Sequence, residues 1–337
     1  MGRAVILIAC FSVVLSLSAC KKQGQEQAAK PESKKLVIAV IPKGTTAEFW
    51  RTVHAGAVKA GEELGVEVIW KGPIKEDDRE QQIKVVEDFI SRGVSGIVLA
   101  PLDDTALRVP VSNAVRGGIP VVVFDSGLKS EDFVSFVATD NYKGGHIAGE
   151  HMAKLLNGKG KVVLLRYQIG SASTSEREQG FLDAIKENPG IEVVSSNQYG
   201  GVTTETSYQA SENILTSFKN KDNTLGIDGI FCPNESTTFG TLRALQEGGW
   251  AGKVKFIGFD ASAKLVEAMR NKQIDGLIMQ NPMMIGYLGV KTIVDHLQGK
   301  QVSKRVDTGV TLATPENMDN PEVKELLSPD LNKWLKE

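Results

Sequence analysis

An alternation that runs twice limits this chain most. From Leu36 onward, short β-branched runs are separated by amphipathic stretches of about 12 to 18 residues, the rhythm of βαβ units around a parallel sheet covered on both faces. Candidate strands are Leu36 to Ile41, Val66 to Trp70, Gly96 to Ala100 and Pro120 to Phe124, then Lys161 to Arg166, Ile191 to Ser195, Gly229 to Cys232 and Val254 to Phe259. Between them Ile83, Val86, Phe89 and Ile90 recur at helical spacing, as do Leu242, Leu245 and Gln246. The two sets also match residue by residue. Gly65-Val66-Glu67-Val68-Ile69 answers Gly190-Ile191-Glu192-Val193-Val194, and Gly96-Ile97-Val98-Leu99-Ala100-Pro101 answers Gly229-Ile230-Phe231-Cys232-Pro233. A later strand in each half stops at an aspartate, Phe124-Asp125 and Phe259-Asp260. Generic periodicity explains alternation, but not matched Gly, Pro and Asp at matched places. The chain reads as α/β, with two similar doubly wound parallel-sheet lobes, and 337 residues suit about two domains.

Parallel α/β sheets bind ligands beyond the carboxyl ends of their strands, where Pro101, Asp125, Pro233-Asn234 and Asp260 all fall. Lobes that face each other with those edges would line one cleft and close on one small molecule by a hinge. The alternative role for each aspartate is to cap the next helix, and Asp260 ahead of Ala261-Ser262 is placed for it.

The amino-terminal end carries a different signal. Arg3 precedes an almost unbroken apolar run from Ala4 to Leu17, shorter than the roughly 20 residues that span a bilayer. Leu17-Ser18-Ala19-Cys20 resembles the lipobox of bacterial lipoproteins. It implies a signal peptide over 1–19, lipid on Cys20, and an exported protein anchored to the bacterial membrane. Residues 20–35, without a large hydrophobe, then form a solvated linker. With Cys10 in the leader and Cys20 lipidated, only Cys232 remains in the folded part, so no intrachain disulfide is expected. Lys plus Arg is 39 against 41 for Asp plus Glu, a net charge of −2. Nothing in that balance points to nucleic acid as a partner, and the membrane anchor is lipid rather than charge.

A wider resemblance then emerges. Phe49-Trp50 after the first strand, Asp125 after the fourth, Gly170 to Gly180 with Arg177, Phe231 to Gly240 with Asn234, Gly258-Phe259-Asp260, and Gln280 before Pro282 resemble the ribose-binding-protein branch of the type I periplasmic binding proteins. These are ligand-capture subunits of bacterial ABC sugar importers. The resemblance covers Leu36 to about Pro315. It implies a hinge of several strands, crossed near Thr139-Asp140-Asn141, Gln280 to Pro282 and Arg305 to Thr308. The amino-terminal lobe would be 36–139 plus 281–306, and the carboxyl-terminal lobe 140–280 plus 307–337. A helix from Met283 to Leu297 would pack back on the first lobe, and residues beyond Pro315 would wrap the surface.

The same resemblance implies the ligand-binding set Lys43, Thr46, Phe49, Trp50, Asp125, Arg177, Asn234, Asp260 and Gln280. Phe49 and Trp50 would pack on the apolar faces of a sugar ring. Asp125 and Asp260 would accept from adjacent hydroxyls, Arg177 would donate, and Asn234 and Gln280 would do both. The implied partners are a monosaccharide or related polyol and an ABC permease, met by a monomer with no cofactor and no metal. Three positions depart from the family pattern. Ser126 stands where the family has an arginine, Lys43 where a small polar residue is usual, and a second-lobe aromatic aligns near Val202, with Tyr199 three residues earlier. One cation could thus have moved from strand four to strand one, toward an anionic ligand or an unusual polyol, or Lys43 could be a surface residue at the cleft mouth.

Enzymatic readings find little support. There is no G-x-G-x-x-G after the first strand, no G-x-x-x-x-G-K-[ST] loop and no G-x-S-x-G elbow. Of His54, His146, His151 and His296, the middle two are five apart and do not share a helix face. Asp77-Asp78 and Asp103-Asp104 read first as helix caps. The alternative function is a sugar-sensing receptor for chemotaxis or a sensor kinase. A repressor effector domain of the same fold is disfavoured by the export signal, and a hydrolase of exported sugars is a third possibility.

Overall fold

The computed structural model describes residues 35–335, so the expected signal peptide, the lipobox with Cys20 and nearly all of the linker lie outside the described residues. Two six-stranded sheets form. The first runs β2 (Glu67–Trp70), β1 (Val37–Ile41), β3 (Gly96–Leu99), β4 (Val121–Phe124), β5 (Ser135–Ala138) and β11 (Arg305–Asp307), all parallel. The second runs β7 (Ile191–Tyr199), β6 (Gly160–Arg166), β8 (Gly229–Phe231), β9 (Lys255–Phe259), β10 (Gly276–Met279) and β12 (Thr311–Ala313), with β12 alone antiparallel. Ignoring the last strand, both follow the doubly wound order 2-1-3-4-5. The duplication expected from the paired sequence blocks is therefore a duplication of topology. Matching Gly96 and Gly229 each open the third strand and pair with the equivalent residues Ile38 and Val162.

Alternating strand residues feed two cores per sheet. Ile38 and Val40 point to one side with Val98 and Val122, while Ala39 and Ile41 join Ile97 and Val121 on the other. The covering helices are α1 (Glu48–Leu64), α2 (Arg79–Arg92), α3 (Arg108–Arg116) and α9 (Pro282–Leu297) on the first sheet. On the second they are α4 (Asn141–Leu155), α5 (Ala172–Lys186), α6 (Thr204–Ser217), α7 (Glu235–Glu247), α8 (Ala263–Arg270) and α10 (Pro321–Leu327). Each lobe thus receives one helix directly from the other: α4 follows β5, and α9 follows β10.

Both incoming helices seat against the first helix of their lobe at backbone distance. A Cβ on Gly286 would stand 1.9 Å from the Val53 carbonyl oxygen of α1, and one on Gly145 of α4 would stand 1.8 Å from the Arg177 carbonyl oxygen of α5. Neither neighbour is a side chain that can swing away. Gly286→Ala is therefore expected to destabilise the chain by about 3 kcal/mol, near the upper end of overpacking costs, measured as a lowered midpoint in urea; an unchanged midpoint would show that the two helices can part freely.

Several expectations need correction. β5, β10, β11 and β12 have only three or four residues each and went unseen. β7 continues to Tyr199, beyond Ser195. Leu242, Leu245 and Gln246 do share α7, where the leucines join the core and Gln246 stays exposed, donating to Gln273. Asp78 does cap α2 by accepting from the Gln81 amide, but Asp103 closes a turn at Thr105 and Ala106 ahead of α3, and Asp104 pairs with Lys129 at 3.1 Å. The tail beyond Pro315 is only partly a surface wrap, since Val323 and Leu327 of α10 are buried in the second lobe's core. Trp334 lies further on, where Lys59 of α1 sits over its ring. Among the described residues no helix is long and apolar enough to cross a membrane.

Candidate functional site

The carboxyl ends of both sheets face each other across a cavity of about 280 Å³. Its two aspartates end β4 and β9, and both adopt left-handed backbone, φ 62 for Asp125 and φ 66 for Asp260. Asp is one of the few non-glycine residues that visits this region readily. Each backbone N–H still donates to the neighbouring strand, Asp125 to Val137 and Asp260 to Ile278. The same unusual conformation at equivalent places turns both side chains to the cavity wall. Asp260 does not cap α8; Ser262 does, accepting from the Leu265 amide.

Each aspartate has a cation. Lys43 Nζ lies 3.3 Å from Asp125 Oδ2 and also donates to Ser171 and Ser173 of the second lobe at 3.3 and 3.0 Å. At 3% exposure Lys43 is not a residue of the cleft mouth. Arg177 Nη1 lies 3.9 Å from Asp260 Oδ2. Its guanidinium donates to Asn141 Oδ1 and the Pro233 carbonyl and stacks 3.9 Å above the Phe259 ring. Burial lowers the Arg177 pKa and raises that of Asp260, with Arg177 and then Gln280 pulling Asp260 back down. Gln280 Nε2 donates to Asp260 Oδ1 at 2.8 Å, while its buried Oε1 has no hydrogen-bond partner. A buried acceptor in that state is costly unless a donor arrives.

Phe49 and Trp50, in the first turn of α1, meet edge to face at 4.9 Å and line the cavity. Trp50 is fixed on its other side by Phe124 and by donating from Nε1 to Glu76 Oε1 at 2.9 Å. Thr46 lines the exposed rim. Asn234 reaches the wall, but its Oδ1 caps α7, accepting from the Thr237 amide and hydroxyl, and its Nδ2 donates to Ser236. The acceptor half of its expected role is thus used by the helix.

Several cavity residues escaped the sequence reading, Glu76, Tyr167 and Glu235 among them. Glu76, between β2 and α2, accepts from Trp50 and, through Oε2, from the Tyr167 hydroxyl of the opposite lobe at 2.9 Å. Burial raises its pKa, partly offset by Lys43. Tyr167 supplies the second lobe's ring; Val202 lines the cavity without one, and Tyr199 lies outside the cavity lining at 44% exposure. Burial drives the Tyr167 hydroxyl well above its usual pKa. Glu235 accepts from the Glu48 and Phe49 amides at 3.3 and 3.0 Å, and burial, with Asp260 adding, pushes its carboxyl up to about 8. Tyr167 directly follows β6 and Glu235 directly follows Asn234, so the strand-end rule that found Asp125 covers both places.

The cavity therefore offers acceptors from both lobes, one unpaired amide oxygen and flat rings. No histidine or cysteine lines it, and Cys232 is sealed in the core beside Thr241, its thiol pushed up to about 12. Among the described residues no cluster of His, Cys, Asp and Glu is placed to hold a metal ion.

Known proteins share this architecture. The periplasmic binding protein domain family matches residues 38–301. A ribose import binding protein of Bacillus subtilis is 28% identical over 318 residues, covering 93% of this chain and 99% of that one. A carbohydrate transporter solute-binding protein from Agrobacterium radiobacter, solved with D-arabinose, superposes with TM-score 0.82 at 34% identity, over 88% of this chain and 99% of that one. An ABC transporter solute-binding protein from Agrobacterium vitis, solved with D-fucose, gives TM-score 0.81 at 34% identity, over 87% and 100%. With its doubled sheets, its crossing helices and a family match over most of its length, the chain belongs to the periplasmic binding protein family.

Proposed function

We propose that this protein captures one neutral monosaccharide, or a closely related polyol, between its lobes and delivers it to an ABC permease. The observation that carries this reading is the facing pair Asp125 and Asp260, each already matched with a buried cation. Lys43 and Arg177 face those carboxylates, and Glu76 and Glu235 add further acceptors, so the buried part of the cleft holds no excess of cations for an anionic ligand; Lys75 lines its exposed edge. Hydroxyl groups suit it because each donates to a carboxylate and accepts from the cationic partner. Hydrogen bonds to charged groups contribute about 1.5 to 3 kcal/mol each, and micromolar affinity needs roughly 8 kcal/mol. A few such bonds with ring stacking on Trp50 suffice. D-arabinose and D-fucose, bound by the solved relatives, are the first aldoses to try.

In this reading residues 36–139 and 281–306 move as one body against 140–280 and 307–337, and the protein works as a monomer, a binder rather than an enzyme. A melting-temperature screen of pentoses, hexoses, polyols and sugar acids tests it. Stabilisation by neutral sugars, with the sugar recovered unchanged at one per chain, is expected. Stabilisation by sugar acids alone, or turnover of the sugar, would contradict it. Lipid on Cys20 holds the exported protein at the membrane: Cys20→Ser should move it from the membrane fraction to the soluble one, and continued membrane association would refute the anchor.

A further inference from the structure

The first helix of each lobe starts at the cleft without a cap of its own. α1 follows Ala47, which has no side-chain oxygen; α5 follows Ser171, whose hydroxyl accepts from Lys43 across the cleft instead of capping its helix. Six of the other eight described helices carry their own caps, on Asp78, Asp140, Thr203, Asn234, Ser262 and Asn281. The missing caps come from the opposite lobe. Glu235, in the second lobe, accepts from the first two amides of α1, Glu48 and Phe49, at 3.3 and 3.0 Å. Ser126, in the first lobe, accepts through Oγ from Ser173, the second residue of α5, at 3.1 Å. The exchange is reciprocal and falls on the same helical position in both lobes. It also gives Ser126, one of the departures from the family pattern, a role that a small fully buried hydroxyl can fill.

We propose, on the reading of the cleft as a sugar site that closes, that the lobes cap each other's first helix on closure, with Glu235 and Ser126 as the positioning residues. In an open cleft those amides are hydrated. Closing removes the water, and amides left bare would then oppose closure. The carboxyl oxygens of Glu235 and the Ser126 hydroxyl, delivered from the facing lobes, remove that opposition. Because α1 carries Phe49 and Trp50 and α5 carries Arg177, the same step fixes the sugar-facing groups.

The test is amide hydrogen exchange at Glu48, Phe49 and Ser173 in the full chain, sugar-free and with saturating D-arabinose, D-fucose and D-allose, joined to stopped-flow capture and release of the same sugars. Glu235→Ala should expose the Glu48 and Phe49 amides but not Ser173, and speed release about tenfold, a larger change than it makes in capture. Ser126→Ala should expose Ser173 alone and speed release about fivefold. Glu235→Gln, which keeps an acceptor, should restore part of the protection and covers the case that the alanine variant does not fold. Unchanged protection in these variants, amides bare in the natural chain under every condition, or equal losses in capture and release would each overturn the reciprocal cap. If none of the three sugars binds the natural chain, the sugar assignment fails; the cap is then decided by the partial protection that transient closure gives the sugar-free natural chain, which each variant should remove at its own amides only.

Discussion

Asp260→Ala is expected to weaken sugar binding about a hundredfold or more, read by calorimetry with the tightest aldose of the screen. The carboxylate is one of the two facing acceptors, and its loss is compounded by what it leaves behind. Arg177, only 2% exposed, would lose its nearest carboxylate, and Gln280 Nε2 would lose its acceptor beside an Oε1 that has none. Removing one partner of a buried charge pair is costly because the other charge stays buried. The left-handed backbone at Asp260 adds strain for alanine, so Asp260→Asn is the cleaner companion. It keeps the shape and the tolerated conformation and removes only the charge, with about a tenfold loss expected. Natural affinity in both variants would take Asp260 out of the site.

Trp50→Ala should cost about 2 to 3 kcal/mol of binding, the scale of a buried aromatic anchor. The indole is wedged between Phe49 and Phe124 and reaches Glu76, so the substitution removes a wall and strips one donor from a buried carboxylate. Trp50→Phe separates the two effects: it keeps a ring for stacking but lacks the N–H. Calorimetry should place it between the natural chain and the alanine variant. If phenylalanine binds no better than alanine, the hydrogen bond to Glu76 outweighs the stacking; if alanine binds as well as the natural chain, the ring does not touch the sugar.

Much of the fold was legible because the chain states its topology twice. Gly96 and Gly229 mark the third strand of each lobe for a physical reason: a Cβ there would collide with Ile293 of α9 or Met152 of α4. The fifth strands were not legible: Ser135–Ala138 and Gly276–Met279 are no shorter than the third strands, but they open on unlike residues, Ser135 and Gly276, so no matched block sets them off from loop. Asp125 and Asp260 were found because a strand-end position fixes where a side chain can go. Glu76 was missed because a loop aims it, and Tyr167 and Glu235, although they stand at or just past strand ends, because their partners belong to the other lobe and no spacing within the chain reveals them. Asn234 carried its own warning: with Thr237 three residues on, an Asn at a helix start serves the helix first.

The most direct test is a crystal structure of the chain with its tightest-binding aldose. One sugar between the lobes is predicted, with hydroxyls within hydrogen-bond distance of both Asp125 and Asp260, a donor on Gln280 Oε1 and the ring face against Trp50. A sugar seated elsewhere, or one that touches a single lobe while the other aspartate stays bonded only to its cation, would contradict the account.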